Sequence, residues 1–353
     1  MSQEVLKIAS LPGDGIGQEV VPAALRVMEA AASRFGFELE VETLPYGADH
    51  YLATGVTMPE LEFERLPAQF DAIFLGGLGD PRVRGNVHAR DILLGLRFRL
   101  DLYINYRPIR LWRESLCPLK GKGRQDVNFV VFRENTEGLY TNSGGRLRPG
   151  TAEEVATQEM ICTRMGVERI IRAAFEHARD RGLRRVCLSD KANALTHVGG
   201  LWRETFAHVS REYPEVETRA EYIDALCMHL IRSPEQFDVI VTGNMFGDIL
   251  TDLGAALQGG LGLAVSANRH PGRIGLYEPV HGTAPDIAGK GIANPLAAIL
   301  TGALLFEHQG QRPAAEAIEV AVEAALEANE TTPDLGGVLD MEGVTRAVLA
   351  HLR

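Results

Sequence analysis

The chain has 353 residues, 45% hydrophobic and 24% charged, which is enough apolar content for a buried core and a length that suits about two domains. Its formal net charge of -11 argues against nonspecific nucleic-acid binding, which needs a basic surface to release the counterions of phosphates. The same charge means that an anionic substrate has to be captured by a local basic pocket.

The opening MSQEVLKIAS lacks a basic segment followed by an apolar core, so no secretory leader is expected. Residues Leu6 to Leu11 form a short apolar strand candidate, Pro12 to Gly17 (PGDGIG) a glycine-rich turn, and EVVPAALRVMEAAASRF a helix. Strand, turn and helix begin an α/β unit. GDGIGQE departs from the GxGxxG fingerprint, which counts against a standard Rossmann site. Two further strand candidates, FELEVETL and FDAIFLGGLG, follow with helix between them, the second ending in another glycine turn, Gly76 to Gly79.

From Asp91 the stretch DILLGLRFRLDLYINYRP mixes apolar residues with arginines, among them Arg97 and Arg107. The β-prone run FVVFRENTEGLY carries Arg133, Glu134, Glu137 and Tyr140 to its end. Such a charged cluster is commonly a solvated loop face, and it is also where α/β sheets bind ligands. TAEEVATQEMICTRMGVERIIRAAFEHARDRG reads as a strand start and a long amphipathic helix, RRVCLSDKANAL as a strand delivering Asp190, Lys191 and Asn193 to a turn, and GLWRETFAHVSREY as another helix. The cysteines Cys117, Cys162, Cys187 and Cys227 form no CxxC or Cys/His pattern and read as reduced, mostly core residues.

FDVIVTGNMFGDILTDLGAA (Phe237 to Ala256) is a strand-like run, a turn and a helix bearing Asp248 and Asp252. Their spacing stacks the side chains one turn apart on one face. Paired like charges are often no more than a solvated face, but Asp224 lies just upstream in YIDALCMHLI. Three crowded carboxylates repel one another and are pushed toward protonation unless a cation joins them; Mg²⁺ or Mn²⁺ takes such oxygen ligands and leaves positions open for an anionic substrate. Next, GLGLAVSAN and GRIGLYEPVHGTAPDIAGKGIANP are poor in helix signals, and long irregular segments usually bind something. LAAILTGALLFEHQG and PAAEAIEVAVEAALEAN close the chain as two helices; the first is too short an apolar run to span a bilayer. A cytoplasmic protein with no membrane or nucleic-acid partner is the simplest expectation.

LPGDGIGQEV, RFRLDLYINYRP, RENTEGLY, DKANAL, NMFGDILTDL and EPVHGTAPDIAGKGIANP occur in this order. Together they resemble the metal-dependent β-decarboxylating dehydrogenases, the isocitrate/isopropylmalate dehydrogenase family, over nearly the whole chain from Ile8 to the C-terminal helix. The resemblance implies an α/β two-domain fold unlike the standard Rossmann type. A larger cofactor-binding domain is expected from residues 1–102 and 260–353, and a smaller central one, with metal and dimer-contact residues, from 103–259. It also implies a homodimer or a larger assembly in which Lys191 and Asp224 reach across to complete the partner's site.

For this chain the resemblance implies an oxidoreductase that decarboxylates a (2R)-malate-type acid. Lys191 serves the oxidation and Tyr140 reprotonates the enol. Asp224, Asp248 and Asp252 bind Mg²⁺ or Mn²⁺, and Arg97, Arg107 and Arg133 grip the carboxylates of a small anionic hydroxy acid, a task suited to forked cationic donors. HGTAPD corresponds to an adenosine-binding loop: His281 flanks the adenine, Gly282, Thr283, Ala284 and Ile287 line the site, Asp286 accepts from ribose hydroxyls, and Asn294 is a further cofactor position. Because a carboxylate at Asp286 repels a 2′-phosphate, NAD is expected rather than NADP.

Leu93 and Leu94 face the substituent at C3 of malate and suit a small or apolar group, so 3-isopropylmalate or D-malate/tartrate is expected ahead of isocitrate or homoisocitrate. Arg90 points the other way if it reaches that substituent. RENTEGLY and its surroundings look more like tartrate and D-malate enzymes, DKANAL and DALCMHL more like isopropylmalate ones. A catalytically weak regulatory subunit on the same scaffold is the reading from a different class; it is opposed by the presence of Tyr140, Lys191, Asp224, Asp248 and Asp252.

Overall fold

The computed structural model describes residues 5–352. Met1 to Glu4, on which the expected absence of a leader partly rests, and Arg353 lie outside them. The described residues divide into two compact units, 5–102, 111–120 and 255–352 in unit 1, and 103–110 and 121–254 in unit 2. Residues 111–120 and 255–259 therefore belong to unit 1, whereas the sequence reading assigned them to the central domain.

In chain order, unit 1 begins with β1 (Val5–Gly13), α1 (Gly17–Phe35), β2 (Glu38–Thr43), α2 (Ala48–Thr54), α3 (Glu60–Gln69), β3 (Ala72–Gly77) and α4 (Val87–Arg99). Unit 2 follows with β4 (Ile104–Arg110), β5 (Asn128–Glu134), β6 (Gly144–Leu147), β7 (Val155–Gln158), α5 (Arg164–Arg181), β8 (Arg185–Asp190), α6 (Thr196–Val209), β9 (Glu217–Tyr222), α7 (Ile223–Arg232), β10 (Val239–Thr242) and α8 (Asn244–Leu257), whose last residues pass into unit 1. The chain ends in unit 1 with β11 (Val265–Arg269), β12 (Gly275–Pro279), α9 (Leu296–His308), α10 (Arg312–Glu327) and α11 (Met341–His351).

Strands of unit 1 lie in the order β2-β1-β3-β12-β11, parallel except for the β11–β12 hairpin. β3 is buried at every residue, which is why AIFLGG is a continuous apolar run with no alternation. α1 buries Val20, Ala24, Val27 and Ala31, the helical spacing of an amphipathic face. α9 is buried all round from Leu296 to Phe306, as its uniform apolarity requires. α11 has no counterpart among the helices read from the sequence; its start is marked by Asp340, whose side chain accepts from Gly343 N at 2.7 Å as an N-cap.

Strands of unit 2 lie in the order β4-β5-β10-β8-β9, with β4 antiparallel to β5 and the rest parallel. Parallel pairing brings the C-terminal ends of β5, β10, β8 and β9 to one edge. The segments that follow them carry Tyr140, Asp248, Lys191 and Asp224, so topology sets these residues at the carboxyl-terminal edge of the parallel strands, where α/β sheets in general bind ligands. β6 and β7 form a separate, fully exposed antiparallel ribbon. All four cysteines are free thiols, but only Cys187 is buried, so the expectation that most lie in the core does not hold. Among the described residues no helix is long and apolar enough to cross a membrane.

Candidate functional site

In unit 2 the register pairs Arg133 on β5 with Thr242 on β10, so α8 starts beside Arg133. The helix passes so close that a Cβ on Gly247 would stand 2.7 Å from the Arg133 side chain, and glycine there lets the guanidinium lie along the helix. Arg133 donates to Asn244 Oδ1 at 2.9 and 2.7 Å and to Asp248 Oδ1 at 2.5 Å. Arg107 donates to Thr251 Oγ1 at 2.5 Å and stands 3.6 Å from Asp248 Oδ1. The Tyr140 hydroxyl donates to Asp248 Oδ2 at 3.0 Å, and the Arg133 guanidinium lies over the Tyr140 ring, 5.3 Å from its centroid.

Electrostatics separate the two carboxylates of α8. Burial by itself would raise the pKa of Asp248, but the charges of Arg133 and Arg107 and the Tyr140 hydrogen bond hold it below the usual carboxylate value. Asp252 is raised, by burial and then by the charge of Asp248. One turn of helix thus holds one firmly ionised carboxylate and one that resists ionising.

Asp224 is elsewhere in the chain's own pattern. It opens α7, next to the end of β8, and accepts from Lys191 Nζ at 2.5 Å, which lowers its pKa. Within one chain the described residues contain no group of three or more His, Cys, Asp or Glu able to hold a metal. The structure therefore brings Asp248 and Asp252 together and leaves Asp224 with Lys191, instead of gathering all three carboxylates at one spot. Asp190, just before Lys191, is buried and accepts from both Arg203 Nε at 2.6 Å and Arg203 Nη2 at 3.0 Å, while that guanidinium also covers Tyr222 at 4.9 Å from its ring centroid. Arg203 and Asn244 were not singled out by the sequence reading; each acts on a partner remote in the chain.

In unit 1, Arg97 is buried in the last turn of α4 and donates to Glu278 Oε1 at 3.2 Å, which Asn268 Nδ2 also reaches at 2.7 Å. Glu278, inside the EPVHGTAPD stretch, is another residue the sequence reading passed over. Leu93 packs against the apolar core and Leu94 is half-buried. Arg90 is exposed and its guanidinium turns to the neighbouring Asp91, 3.3 Å away.

The loop after β12 holds the other candidates. His281 is held by a bond between its Nδ1 and Gly282 O at 3.0 Å, and its buried Nε2 has no hydrogen-bond partner. Burial lowers its pKa, so the ring is neutral at pH 7. Ala284 has φ 39°, a left-handed backbone that costs a non-glycine residue about 1–3 kcal/mol and tends to occur at functional sites. Gly282 and Asp286 are exposed, Thr283 and Ile287 half-buried. Asn294 is different: its amide donates to Asp334 at 3.0 Å and accepts from Leu296 N at 2.9 Å, so both ends of the side chain are engaged in starting α9.

The donors fit the groups expected of them. Asp248 and Asp252 could hold a hard divalent cation, since they present carboxylate oxygens one turn apart and a cation would relieve the repulsion that raises Asp252. The loop at His281 could hold a nucleoside, since a neutral ring with an unpartnered buried nitrogen suits a heterocycle better than a phosphate.

The family described as isocitrate/isopropylmalate dehydrogenase matches residues 7–348. The chain is 46% identical over 329 residues to a 3-isopropylmalate dehydrogenase of Thermobifida fusca, covering 93% of each chain. It is 43% identical over 343 residues to a D-malate dehydrogenase (decarboxylating) of Escherichia coli, covering 95% of each. The crystal structure of an isocitrate dehydrogenase from Methylococcus capsulatus matches with a TM-score of 0.89 and 38% identity over 99% of both chains. The fold is the one that the ordered motifs implied.

Proposed function

The chain belongs to the isocitrate/isopropylmalate dehydrogenase family, and from that premise we propose that it catalyses the NAD- and divalent-metal-dependent oxidative decarboxylation of a (2R)-malate-type acid, 3-isopropylmalate or D-malate/tartrate, to a 2-oxo acid and CO₂. The observation that carries this reading is the convergence of Arg107, Arg133 and Tyr140 on Asp248, one turn from Asp252. A substrate carboxylate there meets two forked cations whose partners include the Asp248 carboxylate, the Thr251 hydroxyl and the Asn244 amide.

Asp248 and Asp252, with Asp224 supplied across a homodimer, would hold a divalent cation, which would act as a Lewis acid toward developing negative charge, and NAD at the His281 loop would serve as the hydride acceptor. Arg97, Arg107 and Arg133 bind and orient the carboxylates of the acid. Lys191 Nζ takes the proton of the C2 hydroxyl as hydride leaves, and after CO₂ departs the Tyr140 hydroxyl gives its proton to C3. In a homodimer Lys191 and Asp224 serve the partner's site together. Their direct contact within one chain supports that, as do the exposed Met228 and Ile231 on α7 and Ile249 on α8, apolar side chains that a subunit interface would cover. Asp286 selects NAD, and His281, Gly282, Thr283, Ala284 and Ile287 line the adenosine site.

Leu93 and Leu94 offer no donor for a third carboxylate, and Arg90 is engaged with Asp91, so isocitrate is the poor substrate and a small or alkyl-substituted malate the good one. The test is NADH formation with D-malate, tartrate, 3-isopropylmalate and isocitrate, before and after chelation and with Mn²⁺ or Mg²⁺ restored. Activity that survives thorough chelation defeats the metal assignment. A kcat/KM for isocitrate that leads in the wild type and collapses in Arg90→Ala transfers specificity to Arg90.

A further inference from the structure

The turn PGDGIGQE resembles a phosphate cradle in its glycine content, yet the structure commits its polar groups elsewhere. Asp14 is buried and accepts from Ala48 N at 2.6 Å, Gly79 N at 2.7 Å and His88 Nε2 at 2.8 Å. Ile16 N donates to Thr283 O at 2.9 Å. Gly15, at φ +54°, lies so close to the loop that a Cβ would stand 2.1 Å from Thr283 O. Glu19, in the first turn of α1, receives Gly289 N on Oε2 at 2.9 Å and Gly291 N on Oε1 at 2.8 Å. Both glycines have left-handed backbones, φ +76° and +66°, which aim their N–H groups at one carboxylate. On its far side Gly291 O accepts from Met341 N at 2.9 Å.

We infer that Glu19 is a positioning residue for the cofactor loop, its carboxylate fixing the Asp286–Gly291 segment so that Asp286 stands ready for a nucleoside's hydroxyls. The inference rests on the proposed function, in which this loop binds the adenosine of NAD. Asp286 lies between two anchors on α1 and the turn before it: Ile16 holds Thr283 on one side, and Glu19 holds Gly289 and Gly291 on the other. Between them the chain is a tight turn, with Ile287 N on Ala284 O at 3.1 Å, Lys290 N on Ile287 O at 3.2 Å and Lys290 Nζ on Asp286 O at 2.6 Å. A displacement of the second anchor therefore passes to Asp286 with little slack. The motif that lacks a dinucleotide fingerprint serves the cofactor at one remove, by holding the loop that touches it.

Amide hydrogen exchange of the loop peptide 284–292 and NAD kinetics, measured on the full-length protein, test this. In Glu19→Ala, exchange at the loop quickens, and both the Kd for NADH and the KM for NAD rise about tenfold, the scale of one or two lost charge-assisted hydrogen bonds. The kcat at saturating NAD and the KM for the hydroxy acid stay within about twofold, a split that general destabilisation would not produce. Glu19→Gln, which keeps one acceptor oxygen and the side-chain volume, falls between wild type and Glu19→Ala, and it carries the test if the alanine variant fails to fold. Unchanged exchange and unchanged NAD parameters in either variant overturn the inference. Quickened exchange with an unchanged KM for NAD also overturns it, provided that Asp286→Ala raises that KM. If neither Asp286→Ala nor His281→Ala alters NAD binding, the assignment of the loop fails and takes the inference with it.

Discussion

Around Asp248 in unit 2 the contacts are between side chains: two guanidinium groups and a phenol meet one carboxylate. Around Thr283 and Gly291 in unit 1 nearly every contact engages the main chain, through Ile16 N, Gly289 N, Gly291 N and Met341 N. The first assembly is made of charge and can be dismantled one functional group at a time. The second is made of backbone geometry, where a single methyl in the wrong place does what charge removal does in the first. Substitutions should accordingly act in different currencies, turnover in unit 2 and cofactor affinity in unit 1.

The sharpest contrast comes from Lys191→Met and Tyr140→Phe, each of which should lower kcat by about 10²–10⁴-fold, the usual range for a lost general acid or base. Stopped-flow reduction of a supplied 2-oxo acid then separates them, because Tyr140→Phe should spare that half-reaction while Lys191→Met should not. Equal loss in both would make the pair one functional unit.

In unit 1 the largest effect expected of a single side chain is on cofactor choice. Like-charge juxtaposition with a 2′-phosphate is worth roughly a hundredfold, so wild type should favour NAD over NADP by about that factor and Asp286→Lys should narrow the gap, as read from the ratio of kcat/KM for the two cofactors. A wild type that prefers NADP would mean that the loop has been misassigned.

Gly15→Ala tests the backbone half of the comparison directly. The left-handed φ of +54° alone costs about 1–3 kcal/mol for a residue with a Cβ, and that Cβ has to displace Thr283 O. Thermal denaturation should show the lower stability and NADH titration the weaker binding. Retention of both would show that the turn yields easily and braces nothing.

The smallest effect concerns an ion pair of unit 2 remote from Asp248. Asp238 is partly buried, which by itself would raise its pKa, but hydrogen bonds from the Arg185 side chain and from the backbone N–H groups of Arg184 and Arg185 hold it below the ordinary value. A depressed carboxylate contributes stability that is present above its unfolded pKa and is lost as pH falls through the folded one. Asp238→Asn should therefore cost about 1.5 kcal/mol at pH 7, and the difference from wild type should shrink as urea midpoints are measured from about pH 4 downward. A difference that stays constant into acid would assign the cost to packing instead of charge.

Much of α8 was readable because helix periodicity is local: the spacing of Asp248 and Asp252 already puts them on one face. The place of Asp224 was not readable in the same way. It depends on β9 pairing with β8, with Asp190 opposite Tyr222, and that pairing sets Asp224 beside Lys191. Asn244, Arg203, Glu278 and Glu19 escaped for a related reason. Each is an ordinary polar residue whose work is done on a partner far along the chain, Arg133 for Asn244, Asp190 for Arg203, Arg97 for Glu278, Gly289 and Gly291 for Glu19.

Sequence by itself determined many of the strands and helices, though not α4, α7, α11 or β9, together with the family and the residue types expected of the site, because apolar periodicity, glycine turns and ordered motifs act over short stretches of chain. Tertiary structure alone decided which carboxylates share a spot, that Arg97 rests on Glu278, and that the glycine turn holds a loop instead of a phosphate. Those outcomes depend on strand order and on approaches of a few ångströms between segments as far apart as Glu19 and Gly291, and no local pattern encodes a distance between them.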